Sequence, residues 1–199
     1  MKTIWKKPLV LFLSLAMFLS SGTGVLTFGE TQSQGPAYDG TQSGWAEPEI
    51  DEAYAYGLTY PGVMENFTRL ITREEFCTLA VKLHESLTGQ SVSPGSDPFD
   101  DTDNPEILKA YKLGIVNGIS DTAFAPQNNI TRQEICVMIY RALNNSIPSL
   151  DKSTDGDFPF DDQASIAAWA DDAVRFAYKN GIMKGMGNNL MAPLANTTR

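Results

Sequence analysis

Two seven-residue words, ITREEFC (Ile71 to Cys77) and ITRQEIC (Ile130 to Cys136), hold the residue types best suited to binding chemistry. Thr72 with Glu75, and Thr131 with Glu134, spell T-x-x-E. This is a capping box: the Thr oxygen accepts from a backbone N–H one turn in, and the Glu reaches back to the N–H of the cap residue. A helix is therefore expected to start at each, with Arg73 and Arg132 at its first position. That position sits among free N–H groups at the positive end of the helix dipole, which favours anions. A guanidinium can also grip a carboxylate through two parallel hydrogen bonds. Trp45 and Trp169 add flat apolar faces. Both residue types have structural uses as well: a first-turn arginine can project into solvent, and a helix tryptophan can pack into a core.

Other chemistries find less support. The pairs Asp100/Asp101, Asp161/Asp162 and Asp171/Asp172 invite comparison with a glycosidase acid and nucleophile. Adjacent side chains diverge, however, and the recurrence of the pairs suits turns and N-caps. The run DDTDN, Asp100 to Asn104, lacks the Gly and terminal Glu of an EF-hand loop. One His and two Cys leave no multi-histidine metal site, serine-protease triad or disulfide framework, so no catalytic residue, metal or cofactor is expected. His84, on an apolar helix with no nucleophile beside it, reads as a structural or surface histidine. Cys77 and Cys136 share one repeat position and suit small buried hydrophobes. A disulfide across the bundle is the alternative that secretion would permit.

The elements that position these residues repeat. A shift of 67 residues lays AYKLGIVNG (Ala110 to Gly118) on AYKNGIMKG (Ala177 to Gly185) and carries Phe124, Pro126, Asn129, Thr131 and Arg132 onto Met191, Pro193, Asn196, Thr198 and Arg199. A 124-residue shift lays Trp45, Ala46, Ile50, Ala53 and Gly57 on Trp169, Ala170, Val174, Ala177 and Gly181, and 59 residues separate the two T-x-x-E words. Three units follow, each a helix, a loop and a second helix. Ala170, Ala173, Val174, Ala177 and Tyr178 form one apolar stripe of the first helix. Gly57, Gly114 and Gly181 stand just past its end, where a left-handed cap favours a residue without Cβ. FCTLAVKLHESL and ICVMIYRAL are apolar over much of their circumference, as expected of helices buried against one another.

Composition bounds the rest. The 199 residues hold 15 Lys+Arg against 24 Asp+Glu, a net charge of -9, so the driving force for sequence-independent nucleic-acid binding is missing and nucleic acid is not an expected partner. Lys2, Lys6 and Lys7, the apolar run Pro8 to Leu19 and the small residues Ser20 to Gly24 read as a secretory signal peptide over residues 1–29, cut after Gly24 or Gly29. The apolar run is shorter than the ~20 residues of a membrane span, and no second candidate follows, so no span is expected after cleavage. Residues 30–44 are poor in large aliphatics and read as a flexible lead-in. Units then occupy residues 45–97, 98–157 and 158–199.

With an F-x-D start (Phe99 to Asp101, Phe160 to Asp162), a WA-x-x-A-[IV] helix, paired glycines, a [DN]-x-x-[FM]-x-P loop and ITR-x-E, the chain resembles the S-layer homology (SLH) family from Trp45 to Arg199. The resemblance implies an all-α, pseudo-threefold arrangement of tandem helix-loop-helix motifs, the second helices forming a central bundle and the first helices peripheral prongs. It also implies a secreted protein of the Gram-positive surface that binds secondary cell-wall polysaccharide, commonly pyruvylated, or related peptidoglycan-linked glycan. Such a protein anchors itself or an S-layer without catalysis, and S-layer self-association is a further possibility. Arg73, Arg132 and Arg199, with Trp45 and Trp169, are then the expected glycan contacts. Three departures bear on this. Thr102 stands where register places tryptophan, the unit-one loop Leu58 to Leu70 is two residues short and lacks its proline, and the third motif stops at Arg199 before its central helix. The expectation is an anchoring fragment of a longer exported protein, an S-layer subunit or a hydrolase whose catalytic domain lies beyond residue 199.

Overall fold

The computed structural model describes residues 35–199. The signal peptide and its cleavage sites lie outside them. Five α-helices follow in order: α1 (Glu47–Ala55), α2 (Arg73–Thr88), α3 (Pro105–Lys112), α4 (Arg132–Ser146) and α5 (Asp171–Lys179). Two short 3-10 turns (Pro61–Val63 and Gln163–Ser165) complete the regular structure, and there is no strand among the described residues, so the fold is all-α as expected. None of these helices is long and apolar enough to cross a membrane.

The helix boundaries follow from local chemistry. α2 opens at Thr72, whose hydroxyl accepts from Glu75 N at 3.3 Å while Glu75 Oε2 accepts from Thr72 N at 3.0 Å. At α4, Glu134 Oε2 accepts from both the N–H and the hydroxyl of Thr131, at 2.9 and 2.6 Å. α3 is capped by Asn104, whose side chain accepts from Glu106 N, with Pro105 at the first helical position, where a missing N–H costs nothing. Gly57, Gly114 and Gly181 follow α1, α3 and α5 with φ of 68°, 67° and 70°, the left-handed cap that their spacing predicted.

α2 and α4 pack against each other, α3 packs on α2, and α5 packs on α4. Each of these short helices therefore lies on the long helix of the preceding unit. Ile107 and Ala110 are fully buried in one cluster with Cys77, Ala80 and Val81, and Val174 and Ala177 are buried in a second with Cys136 and Val137. Both cysteines are free and buried. Burial pushes both thiols up, Cys136 to about 12, which keeps them protonated and unreactive. His84 is buried too, its Nδ1 2.9 Å from Ser146 Oγ, a structural contact between the ends of α2 and α4. α1 differs from its counterparts: it has no buried residue, and Ile50 and Ala53, at the repeat positions of Val174 and Ala177, are half-buried.

The segments leading into the long helices close a ring. Isolated antiparallel bridges join Thr72 to Asn129, Thr131 to Asn196 and Leu70 to Thr198. Arg73 N and Glu74 N donate to the carbonyls of Asn128 and Pro126, and Arg132 N and Gln133 N repeat this one unit later on Ala195 and Pro193. Ile71 N donates to Thr197 O and Arg199 N to Arg69 O, which fastens unit three back onto unit one.

Aspartates hold the loops behind this ring. Asp101 accepts from Phe124 N and Ala125 N, at 2.9 and 2.8 Å, and Asp162 accepts from Met191 N and Ala192 N, at 2.9 and 2.7 Å. Ala125 and Ala192 sit at φ of 58° and 52°, a conformation an alanine rarely adopts unless its N–H is held this way. In unit one Asp39 accepts from Asn66 N at 2.6 Å, where φ is 50°. Tyr38 Oη donates to Asp51 on α1 and Thr41 Oγ1 accepts from Phe67 N, so this part of the lead-in is tied to unit one.

Candidate functional site

The arginines of the T-R-x-E words do not project into solvent. Arg73 is 6 % exposed; its Nε donates to Phe124 O at 3.2 Å, its Nη1 reaches Glu134 Oε1 at 2.5 Å, and its guanidinium lies 4.8 Å from the centre of the Phe124 ring. Arg132 repeats the pattern one unit on, donating from Nε to Met191 O at 3.0 Å and from Nη2 to Lys184 O at 2.5 Å. Arg199 closes the cycle on unit one, with Nη1 on Glu65 O at 2.8 Å and Nη2 on Glu75 Oε1 at 2.5 Å. Each arginine thus grips the loop of the next unit. Two of the three also meet the capping glutamate of that unit. Arg199 Nε is buried without a partner, unlike the Nε of Arg73 and Arg132, and the loop it faces is the shortened one of unit one.

This wiring sets the local electrostatics. Burial alone would raise the Glu75 carboxyl, but hydrogen bonds from Arg199 and Thr72 N, with the charges of Arg199 and Arg69, outweigh it and hold Glu75 below the usual carboxylate range. Asp101 is likewise lowered, chiefly by the amides of Phe124 and Ala125. Burial pulls the Arg132 guanidinium down from its ordinary value.

Two cavities divide the expected contact residues. The first, about 420 Å³, lies mainly on unit two, lined there by Ile119, Glu134 and Arg141 among others, with Arg73 of unit one and Trp169 of unit three on its walls. The second, about 560 Å³ and more apolar, is lined by Trp45, Ile50, Ala53, Leu79 and Arg199 among others. Arg73 and Trp169 are thus brought together, as are Trp45 and Arg199, while Arg132 lines neither cavity. Trp45 and Trp169 are 77 % and 59 % exposed, so both indoles present a face to solvent instead of filling a core. Thr102, the unit-two counterpart, supplies no ring; its hydroxyl accepts from Asn104 N.

Two contributors escape sequence reasoning. Arg141, on α4, lines the first cavity, and the 59-residue shift that pairs the T-x-x-E words places it opposite Lys82, a shared positive charge that was the available signal. Ile119, also on that wall, is 62 % exposed, and the 67-residue shift places it opposite Met186, 63 % exposed. An apolar tip exposed at the same place in two units was legible only once burial was known. Asn117 and Gly118 complete the rim of a groove that offers cation, carboxylate, amide and indole together. Such a set suits a polar ligand with one anionic and one apolar face.

Comparison with known proteins agrees with the repeat. Residues 98–136 and 159–199 match the family model of the S-layer homology domain. The chain is 30% identical, over 98% of its length, to an endoglucanase of Bacillus sp. (strain KSM-635), covering 21% of that protein. It is 30% identical over 91% of its length to an amylopullulanase of Thermoanaerobacterium thermosulfurigenes, covering 10% of it, and 26% identical over 79% to a surface-layer 125 kDa protein of Lysinibacillus sphaericus, covering 13%. The chain therefore spans about a fifth or less of the length of these relatives. The two matched segments contain Asp101 and Asp162, which hold the loops, and Arg132 and Arg199, which join the units, and through them the chain belongs to the S-layer homology domain family.

Proposed function

We propose that this chain is a cell-surface anchoring module that fastens a secreted protein to the bacterial wall by binding an anionic secondary wall polysaccharide, without catalysing a reaction. One observation carries the reading: the groove lined by Arg73 of unit one, by unit two and by Trp169 of unit three combines guanidinium groups with a largely exposed indole in a cavity of about 420 Å³, the size range of small-ligand sites. A sugar ring stacks on such a face, and a pyruvyl ketal fits its two halves, the methyl against Trp169 and Ile119 and the carboxylate toward the cations. The family supports the wall as location, and the relatives named for glycan-degrading activities match only over a small part of their length, which fits a shared anchor next to separate catalytic regions.

The test is sedimentation of the purified chain with Gram-positive wall sacculi, before and after removal of the secondary polymer with hydrofluoric acid. Binding is expected to the untreated sacculi and to fall at least tenfold on the stripped ones, and Trp169→Ala is expected to weaken it about tenfold, as loss of one stacking face does. Equal binding to both preparations would overturn the reading. A second reading, subunit of an assembling surface layer, is favoured by the surface-layer relative and predicts concentration-dependent sheets without added glycan.

A further inference from the structure

We infer that Arg141, and not an arginine of the T-R-x-E words, is the cation that receives the carboxylate of the bound saccharide. The inference deepens the glycan-binding reading above and rests on it.

Arg73, Arg132 and their repeat counterpart Arg199 are already committed. Arg73 shares its charge with Glu134 at 2.5 Å and gives its Nε to Phe124 O. Arg199 is paired with Glu75. Arg132 spends its donors on two carbonyls and lines neither cavity. Taking any of them for a ligand would dismantle a joint between units. Arg141 is different: it forms no ion pair among the described residues, and its one hydrogen bond is a long one, Nη1 to Ile115 O at 3.4 Å. Yet it is half-buried in the wall of the groove, on the same helix as Glu134 and in the same cavity as Trp169.

The charges lining that cavity are Arg73, Glu134 and Arg141. Arg73 and Glu134 cancel, which leaves one positive charge, held at the wall and partly stripped of water. Burial lowers the pKa of Arg141, and no neighbouring charge offsets this, so an arriving anion would supply the missing compensation. Guanidinium planarity favours a two-oxygen ligand such as a carboxylate over a point charge. One net positive charge in a cavity that Ile119 and Trp169 also line therefore selects a singly charged, carboxylate-bearing sugar with an apolar face over a densely charged polyphosphate.

The experiment compares the whole chain with Arg141→Gln and Arg141→Lys on three preparations of sacculi. These are untreated, stripped of secondary polymer, and reduced with carbodiimide and borohydride, which converts carboxylates to alcohols and leaves phosphodiesters intact. Arg141→Gln is expected to lose about ten- to a hundred-fold in affinity on untreated sacculi, the range for one charged hydrogen-bonded contact. Arg141→Lys should recover part of it. On reduced sacculi the wild-type chain should bind no better than Arg141→Gln, a convergence that a merely structural role would not produce. Wild-type binding that is undiminished by carboxylate reduction would overturn the inference even if the glutamine variant proved unfolded. So would full affinity of a folded Arg141→Gln. Both leave the anchoring reading standing, whereas wild-type binding that survives stripping would overturn that reading and this inference together.

Discussion

Glu134 is the most heavily used side chain of the groove, since one oxygen completes the α4 capping box and the other neutralises Arg73. Removing its charge strands a guanidinium whose side chain is 8% exposed. Glu134→Gln is therefore expected to cost about 2–3 kcal/mol, discounted from a fully buried pair because the glutamate is partly solvated. A urea midpoint at unchanged m-value would report it, and a shift below about 0.5 kcal/mol would deny the joint between units its importance. The depressed carboxyls give a second prediction. Glu75 and Asp101 have native pKa values below their unfolded ones, so the stability they contribute is complete above the ordinary carboxylate pKa and is lost as pH falls through the native values. Stability should be level from pH 7 to about 5 and decline below about 4. The combined variant Glu75→Gln with Asp101→Asn should start lower and decline less steeply between pH 5 and 3. A decline of unchanged slope would mean that other carboxylates dominate.

Helices α3 and α5 each bury an aliphatic pair on a long helix, while the same positions of α1 remain half-buried. Ile107→Ala is expected to cost about 3–4 kcal/mol, as deletion of a fully buried side chain does, and Ile50→Ala at most about 1 kcal/mol. Equal costs would show that α1 is packed as tightly as its counterparts. These elements were legible in advance to different degrees. T-x-x-E marked the starts of α2 and α4, and Gly57, Gly114 and Gly181 marked three ends, because caps are short-range chemistry written within one turn. The partners of the arginines were hidden: Arg73 reaches Glu134 across 61 residues, and within its own unit T-R-x-E looks complete. Asp101 and Asp162 were expected in turns or N-caps, and what they hold are amides 23 and 24 residues further on for Asp101 and 29 and 30 for Asp162. The recurrence of these residues gave their importance, but their partners emerge only when the units are closed into a ring.

At the scale of the molecule, the proposed anchoring would bring a chain of net charge -9 to an anionic polymer through a groove whose charged lining residues are Arg73, Glu134 and Arg141. Long-range repulsion and local attraction then respond differently to salt, because exposed charges beyond a Debye length of about 8–10 Å are screened while a sheltered contact is not. Raising ionic strength from about 10 to 150 mM is expected to increase the association rate on immobilised wall glycan and to change the dissociation rate less, a pattern that surface plasmon resonance resolves. An association rate that falls with salt would place attraction, not repulsion, at the encounter. The ring of loops has a mechanical consequence as well. Tension applied at Arg199 does not simply peel unit three away, because Thr197 O, Arg199 N and the Arg199 guanidinium are bound to Ile71, Arg69 and Glu75 at the entrance of α2. The load passes into the entrance of unit one's long helix, and these bonds must shear together before unit three can pull away from unit one.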